Sequence, residues 1–166
     1  IRDKIRNLRL TTSDEIIVYL PTYSPSNLIK IINKLTVKKR WTIFSLDAKK
    51  KEKIFGVNVE PLSEDIFLKK FASCYGIVCA GGFATTSEAI FLGKPMIVVP
   101  VEGQIEQQFN AAALKQEGVT VIDKFSDKNI NIISNWISSP RVLEIKYEDE
   151  SKKIVKTILE DYSNLN

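Results

Sequence analysis

The chain has 166 residues, 44% hydrophobic and 27% charged, a globular balance that predicts a real core in one domain and excludes a disordered segment. Its formal net charge is +4 and it contains no histidine, which removes the commonest general base. The longest apolar runs, such as Met96 to Val101, are far too short to span a bilayer.

Ile1 to Leu10 is charged throughout and does not read as a signal peptide. The sequence opens without methionine, so a domain from a longer protein is expected, with residues 1–14 a linker or connecting helix. Glu15 to Leu20 (EIIVYL) is a short β-branched run, hence a buried strand. Pro21 to Ser26 breaks it, and Ser24-Pro25 reads as an N-cap followed by a first helical position. Leu28, Ile31, Ile32 and Leu35 recur at helical spacing, and Trp41 to Leu46 is a second strand. A lysine-rich loop leads to a third strand, Val57-Asn58-Val59. A helix from Glu64 to about Ser73 precedes the fourth strand, Gly76 to Cys79.

Beyond a glycine turn, Thr86 to Leu92 is expected to be helical, ended by Gly93 and Pro95. Pro95 to Val99 is a fifth strand, Ile105 to Glu117 a helix, and Val119 to Ile122 a sixth strand. Asp127 to Ser138 and Glu148 to Tyr162 read as closing helices. The sum is an α/β fold: a mainly parallel six-stranded sheet with helices on both faces. Such sheets take ligands at the carboxyl ends of their strands, so function belongs in the loops after Leu20, Val59, Cys79 and Val99.

Charge and cysteine add limits. Lys38-Lys39-Arg40, Lys49-Lys50-Lys51 with Lys53, and Lys69-Lys70 lack the interleaved aromatics of a nucleic-acid reader. They read as solvated surface, with attraction to anionic lipid headgroups as the functional alternative. Cys74 and Cys79, five apart and without histidine, make a poor zinc site and read as reduced thiols of a cytosolic protein.

The chemistry concentrates in Cys79 to Ala113. Gly81 and Gly82 let backbone approach a ligand closely. Thr85 and Thr86 stand at the next helix start, where free N–H groups and the helix dipole favour a phosphate. Glu88 lies three residues after Thr85 on the same helix face, suited to a ribose diol. The competing reading is a capping box, Thr85-Thr86-Ser87-Glu88, with Glu88 bonding back to the Thr85 N–H. After Val99, Glu106 and Gln107 offer groups to sugar hydroxyls, or are exposed helix residues. Asn110 reads as structural, bonding backbone across the loop.

These parts, in order, are Gly81-Gly82-Phe83, Thr85 to Glu88, Gly93-Lys94-Pro95, Glu106-Gln107 and Asn110-Ala111. They resemble the C-terminal domain of GT-B fold glycosyltransferases, closest to family 28, which contains the bacterial lipid II N-acetylglucosaminyltransferase. The likeness is densest over Cys79 to Gly118 and implies a Rossmann-like half of a GT-B fold, with residues 15–166 binding a nucleotide-sugar. By resemblance, Glu88 holds the ribose hydroxyls. Thr85, Thr86 and the Gly82-Phe83 backbone take the diphosphate, and Glu106 and Gln107 the donor sugar. Val59 to Leu62 matches the loop whose backbone reads uracil, and Thr22 and Tyr23 lie where a loop nears the phosphates.

The resemblance implies a UDP-sugar as donor substrate, no separate cofactor, a lipid or saccharide acceptor, and a catalytic base in an N-terminal domain. It also implies a cytoplasmic location, with association at the inner face of the cell membrane. No Asp-x-Asp sequence is present, which favours a metal-independent route. Two departures stand out: Ala80 replaces the phosphate-binding histidine of plant-type relatives, and Pro21 to Pro25 replaces the glycine-rich loop of the lipid II enzyme. A UDP-sugar 2-epimerase and a nucleotide-binding subunit with a separate partner are the alternatives.

Overall fold

A computed structural model describes residues 1–145 and 150–163. The apolar runs become β1 (Glu15–Tyr19), β2 (Arg40–Ser45), β3 (Glu52–Ile54), β4 (Val57–Pro61), β5 (Gly76–Cys79), β6 (Met96–Val98) and β7 (Thr120–Val121). They form one sheet in the order β3-β4-β2-β1-β5-β6-β7. Every ladder is parallel except β3 against β4. The helices are α1 (Asp3–Arg6), α2 (Pro25–Ile32), α3 (Glu64–Ser73), α4 (Phe83–Phe91), α5 (Ile105–Gln116), α6 (Ile130–Ser138) and α7 (Ser151–Ser163).

Period-2 alternation divides the core between the two faces of the sheet. Ile16 and Val18 point to one face with Ile43 and Val59, against Leu28 and Ile32 of α2 and Ile133 and Trp136 of α6. Ile17 and Phe44 point to the other, against Ile5 of α1, Phe67 and Phe71 of α3, Ala89 of α4 and Ala111 of α5. The Phe67 ring centres this second core, with centroids 5.7 Å from Tyr19, 5.1 Å from Phe44 and 5.3 Å from Phe71. At the amino end of β1, buried Glu15 accepts from the Thr42 hydroxyl at 2.7 Å and from the Lys70 ammonium at 2.9 Å. Burial pushes its carboxyl up, but these two partners outweigh it and hold the value below the usual carboxylate range.

The chain leaves β1 through α2 toward β2, and leaves β5 through α4 toward β6, in opposite directions and over opposite faces. The gap between β1 and β5 is therefore a topological switch point, where a crevice opens beyond the strand ends.

The sheet has seven strands, not six. The lysine-rich segment taken for a loop carries β3, an edge strand of three residues joined to β4 by the two-residue turn Phe55-Gly56. Both turn residues have positive φ, 45° and 86°, the geometry of a type I′ hairpin. Lysine on an edge strand discourages pairing with other chains and also masks the alternation that would mark a strand. Helix α2 ends at Ile32, before Leu35. Residues 127–138 resolve into a 3₁₀ turn, Asp127–Asn129, followed by α6. The last helix starts at Ser151; the expected start at Glu148 lies outside the described residues. Among the described residues, no helix is long and apolar enough to cross a membrane.

Candidate functional site

Two helix N-termini flank the switch-point crevice. On the β1 side, Leu20 to Ser24 turn into α2, with a Tyr23 N–H to Leu20 carbonyl bond of 3.0 Å. Ser24 caps α2: its Oγ accepts from the Asn27 N–H at 3.4 Å, and Pro25 fills the first position. The Tyr23 hydroxyl accepts from the Phe125 N–H at 3.2 Å, and Thr22 is exposed beside it.

On the β5 side the N-cap is Gly82, which has no side chain to offer, so α4 begins uncapped. The N–H groups of Phe83, Ala84 and Thr85 therefore have no acceptor within the helix and are left to water or a ligand. Helix α4 starts at Phe83, three residues before the expected Thr86, because Gly82 already adopts the extended N-cap geometry, φ −67° and ψ 137°. That displacement removes the capping box: Thr85 is the third helical residue and not the N-cap, and its hydroxyl has no partner among the described residues. Thr86 is buried, and its hydroxyl donates backward to the carbonyls of Gly82 and Phe83 at 3.1 and 3.2 Å.

The turn is clamped from α5. Gln107 Oε1 accepts from the N–H groups of Gly81 at 3.1 Å and Val101 at 3.0 Å, while its Nε2 donates to Gln104. Asn110 Nδ2 donates to the Gly81 carbonyl at 3.1 Å, across the loop as its sequence position implied. A Cβ on Gly81 would stand 2.7 Å from the Gln107 carbonyl oxygen, so glycine is required by this close approach. With its oxygen committed twice, Gln107 retains only an amide hydrogen for a sugar. Glu106, on the first turn of α5, is exposed.

Glu88 does not reach back along its own helix. Its side chain is only 6% exposed, and Arg2 holds it through two bonds, Nε to Oε1 at 2.7 Å and Nη2 to Oε2 at 3.0 Å. The same guanidinium reaches Glu64 at the start of α3 at 2.8 Å, and Lys4 meets the other Glu64 oxygen at 2.6 Å. The hydrogen bond to Glu88 raises Arg2 above its ordinary value, and Lys4 holds the Glu64 carboxyl below the usual carboxylate range. A carboxylate has about four acceptor directions, so two remain on Glu88 for a pair of neighbouring hydroxyls.

Gly81, Gly82, Thr85, Thr86 and Glu88 thus follow one another through the turn after β5 and into α4, and Gln107 meets them at Gly81. Phe83 stands at the same helix start and is 70% exposed. Thr22 is exposed in the loop after β1. Val59 has its side chain in the core, so only backbone at the end of β4 is free to meet a ligand. Arg2 escaped the sequence reading, since it is 86 residues from its partner and nothing in its charged surroundings marks it.

The sequence profile described as glycosyl transferase family 1 matches residues 1–140. Among curated proteins, the UDP-N-acetylglucosamine--N-acetylmuramyl-(pentapeptide) pyrophosphoryl-undecaprenol N-acetylglucosamine transferase of Sinorhizobium medicae (strain WSM419) is 30% identical over 80 residues. That alignment covers 45% of this chain and 21% of the relative. Among solved structures, the spinosyn forosaminyltransferase superposes with a TM-score of 0.54 at 16% identity, over 96% of this chain and 47% of its own. The glycosyltransferase SnogD of Streptomyces nogalater gives 0.51 at 15%, over 93% and 46%. The glycotransferase of kitacinnamycin gives 0.53 at 17%, over 76% and 34%. The chain thus spans less than half the length of each of these relatives.

Proposed function

The chain belongs to glycosyl transferase family 1 and has the fold of one half of a GT-B glycosyltransferase, and from that premise we propose that it is the donor-binding part of an enzyme transferring sugar from a UDP-sugar. The observation that carries this reading is the uncapped start of α4 at the switch-point crevice, about a turn and a half from the nearly buried carboxylate of Glu88. The diphosphate lies on the first N–H groups of α4 with the Thr85 hydroxyl, and the ribose diol binds the free oxygen directions of Glu88. Arg2 orients that carboxylate from the other side. The curated relative is named for UDP-N-acetylglucosamine, which supports uracil as the base.

In the transition state the glycosidic bond to the diphosphate lengthens and charge gathers on the departing phosphate. The α4 N–H groups are already aimed at that charge, so they stabilise it without reorganisation and without a metal. Glu106 and the remaining amide hydrogen of Gln107 orient the donor sugar. With no histidine in this chain, the base that activates the acceptor belongs to an N-terminal half, which also selects the lipid or saccharide acceptor. The protein works in the cytoplasm, peripherally at the inner face of the cell membrane, and binds no nucleic acid.

Calorimetric titration with UDP, GDP and ADP tests the reading. UDP should bind selectively, and Glu88→Ala should weaken it about a hundredfold through lost charge-assisted hydrogen bonds, with a smaller loss of stability from the broken Arg2 pair. Unchanged UDP affinity together with a large loss of stability would make Glu88 a structural anchor for Arg2 and end the proposal.

A further inference from the structure

The β3–β4 hairpin carries a residue that its backbone does not want. Phe55 sits at φ 45° in the first central position of a type I′ turn, where glycine, asparagine and aspartate are favoured. Its side chain is 83% exposed, so no packing in this chain compensates for the strained backbone. A bulky aromatic in the left-handed region, held out into water, points to a contact outside the fold.

The surroundings of the turn define that contact. Thr42 lies opposite Asn58, so two residues back along both strands Arg40 is level with Gly56. The basic run Lys38-Lys39-Arg40 therefore borders the hairpin tip, and Lys53 lies two residues before Phe55. Arg40 is paired with Asp14 at 2.6 Å, and the Lys39 ammonium is turned onto the Tyr75 ring, 3.7 Å from its centre, on the β5 side of the sheet and away from the hairpin. Lys38 and Lys53 are exposed and form no ion pair among the described residues. One isolated aromatic tip is far smaller than the roughly 800 Å² per partner of a stable protein interface. It suits a bilayer, where a single ring enters the headgroup boundary and neighbouring lysines meet anionic lipid.

We propose that the Phe55-Gly56 hairpin tip, with Lys38 and Lys53, is the surface by which this protein docks on an anionic membrane. The inference rests on the peripheral membrane association proposed above and is independent of the donor site. Edge protection explains Lys53 on β3, but not an exposed phenylalanine at a positive φ.

Co-sedimentation of the purified protein with phosphatidylcholine vesicles, with and without phosphatidylserine, reads the binding. The protein should partition onto the anionic vesicles only, and less so at high salt. Phe55→Asn suits the left-handed backbone, so it should keep the fold and UDP affinity while lowering partition about tenfold. Lys38→Ala and Lys53→Ala should each lower it about fivefold. Equal partition of wild type and Phe55→Asn would remove this surface and leave membrane association standing through another. No partition of the wild type would overturn both.

Discussion

The starts of α2 and α4 face the same crevice from strands that are neighbours in the sheet, yet they are finished in opposite ways. At α2, Ser24 turns its hydroxyl onto the Asn27 N–H, and Pro25 fills a position whose missing N–H is no loss. At α4, Gly82 supplies nothing, the Thr86 hydroxyl is turned back into the helix, and the first N–H groups stay open. Helices α3, α5 and α6 also start without a side-chain cap, so what sets α4 apart is its place at the switch point and a glycine as its N-cap. Leaving a start open costs about 1 kcal/mol of capping, and its first N–H groups stay available to water or an anion. The glycines at this turn do separate jobs: Gly81 allows α5 to approach, while Gly82 has open space around its missing Cβ.

This contrast can be broken on purpose. The largest stability effect should come from Gly81→Ala, whose new methyl would meet the Gln107 backbone at 2.7 Å. A loss of about 2 kcal/mol in denaturant unfolding is expected, with UDP binding falling as the turn shifts. Full stability in that variant would show that the α5 clamp is loose.

Gly82→Asp makes α4 resemble α2. The site has room for a side chain and an extended backbone that any residue adopts, so the aspartate should cap the helix and add about 0.5 kcal/mol of stability. The same carboxylate occupies the anion position and should lower UDP affinity at least about tenfold. Stability and binding would then move in opposite directions, which a merely structural turn does not do.

The smallest effect on function should come from Ser24→Ala. Removing the α2 cap should cost about 1 kcal/mol in unfolding and leave UDP titration unchanged. A matching loss of UDP affinity would move part of the phosphate site onto α2.

Much of the fold was legible because its rules are local. The β-branched runs and helical spacings placed six of the parallel-sheet strands and the helices between them within a few residues. Gly93 was foreseen as the stop for α4, and it takes the positive φ of 61° that such a stop uses. The seventh strand was missed because three residues of Glu-Lys-Ile carry no pattern of their own; β4 alone makes them a strand. The start of α4 was misplaced because Thr85-Thr86-Ser87-Glu88 satisfies a local capping rule. A longer-range partner, Arg2, took the Glu88 side chain instead.

By itself, then, the sequence determined an α/β architecture, the loops at the carboxyl ends of its strands, and the residue types in one of them. Those depend on periodicity and on glycine, proline and hydroxyl chemistry within a few positions along the chain. Only the tertiary structure decided that α4 has its N-cap at Gly82 rather than Thr85, that Gln107 and Asn110 clamp Gly81, and that Arg2 fixes Glu88 across 86 residues. Hydrogen-bond partners so far apart in sequence are chosen by how the sheet packs its helices, and no spacing rule along one strand of sequence encodes that choice.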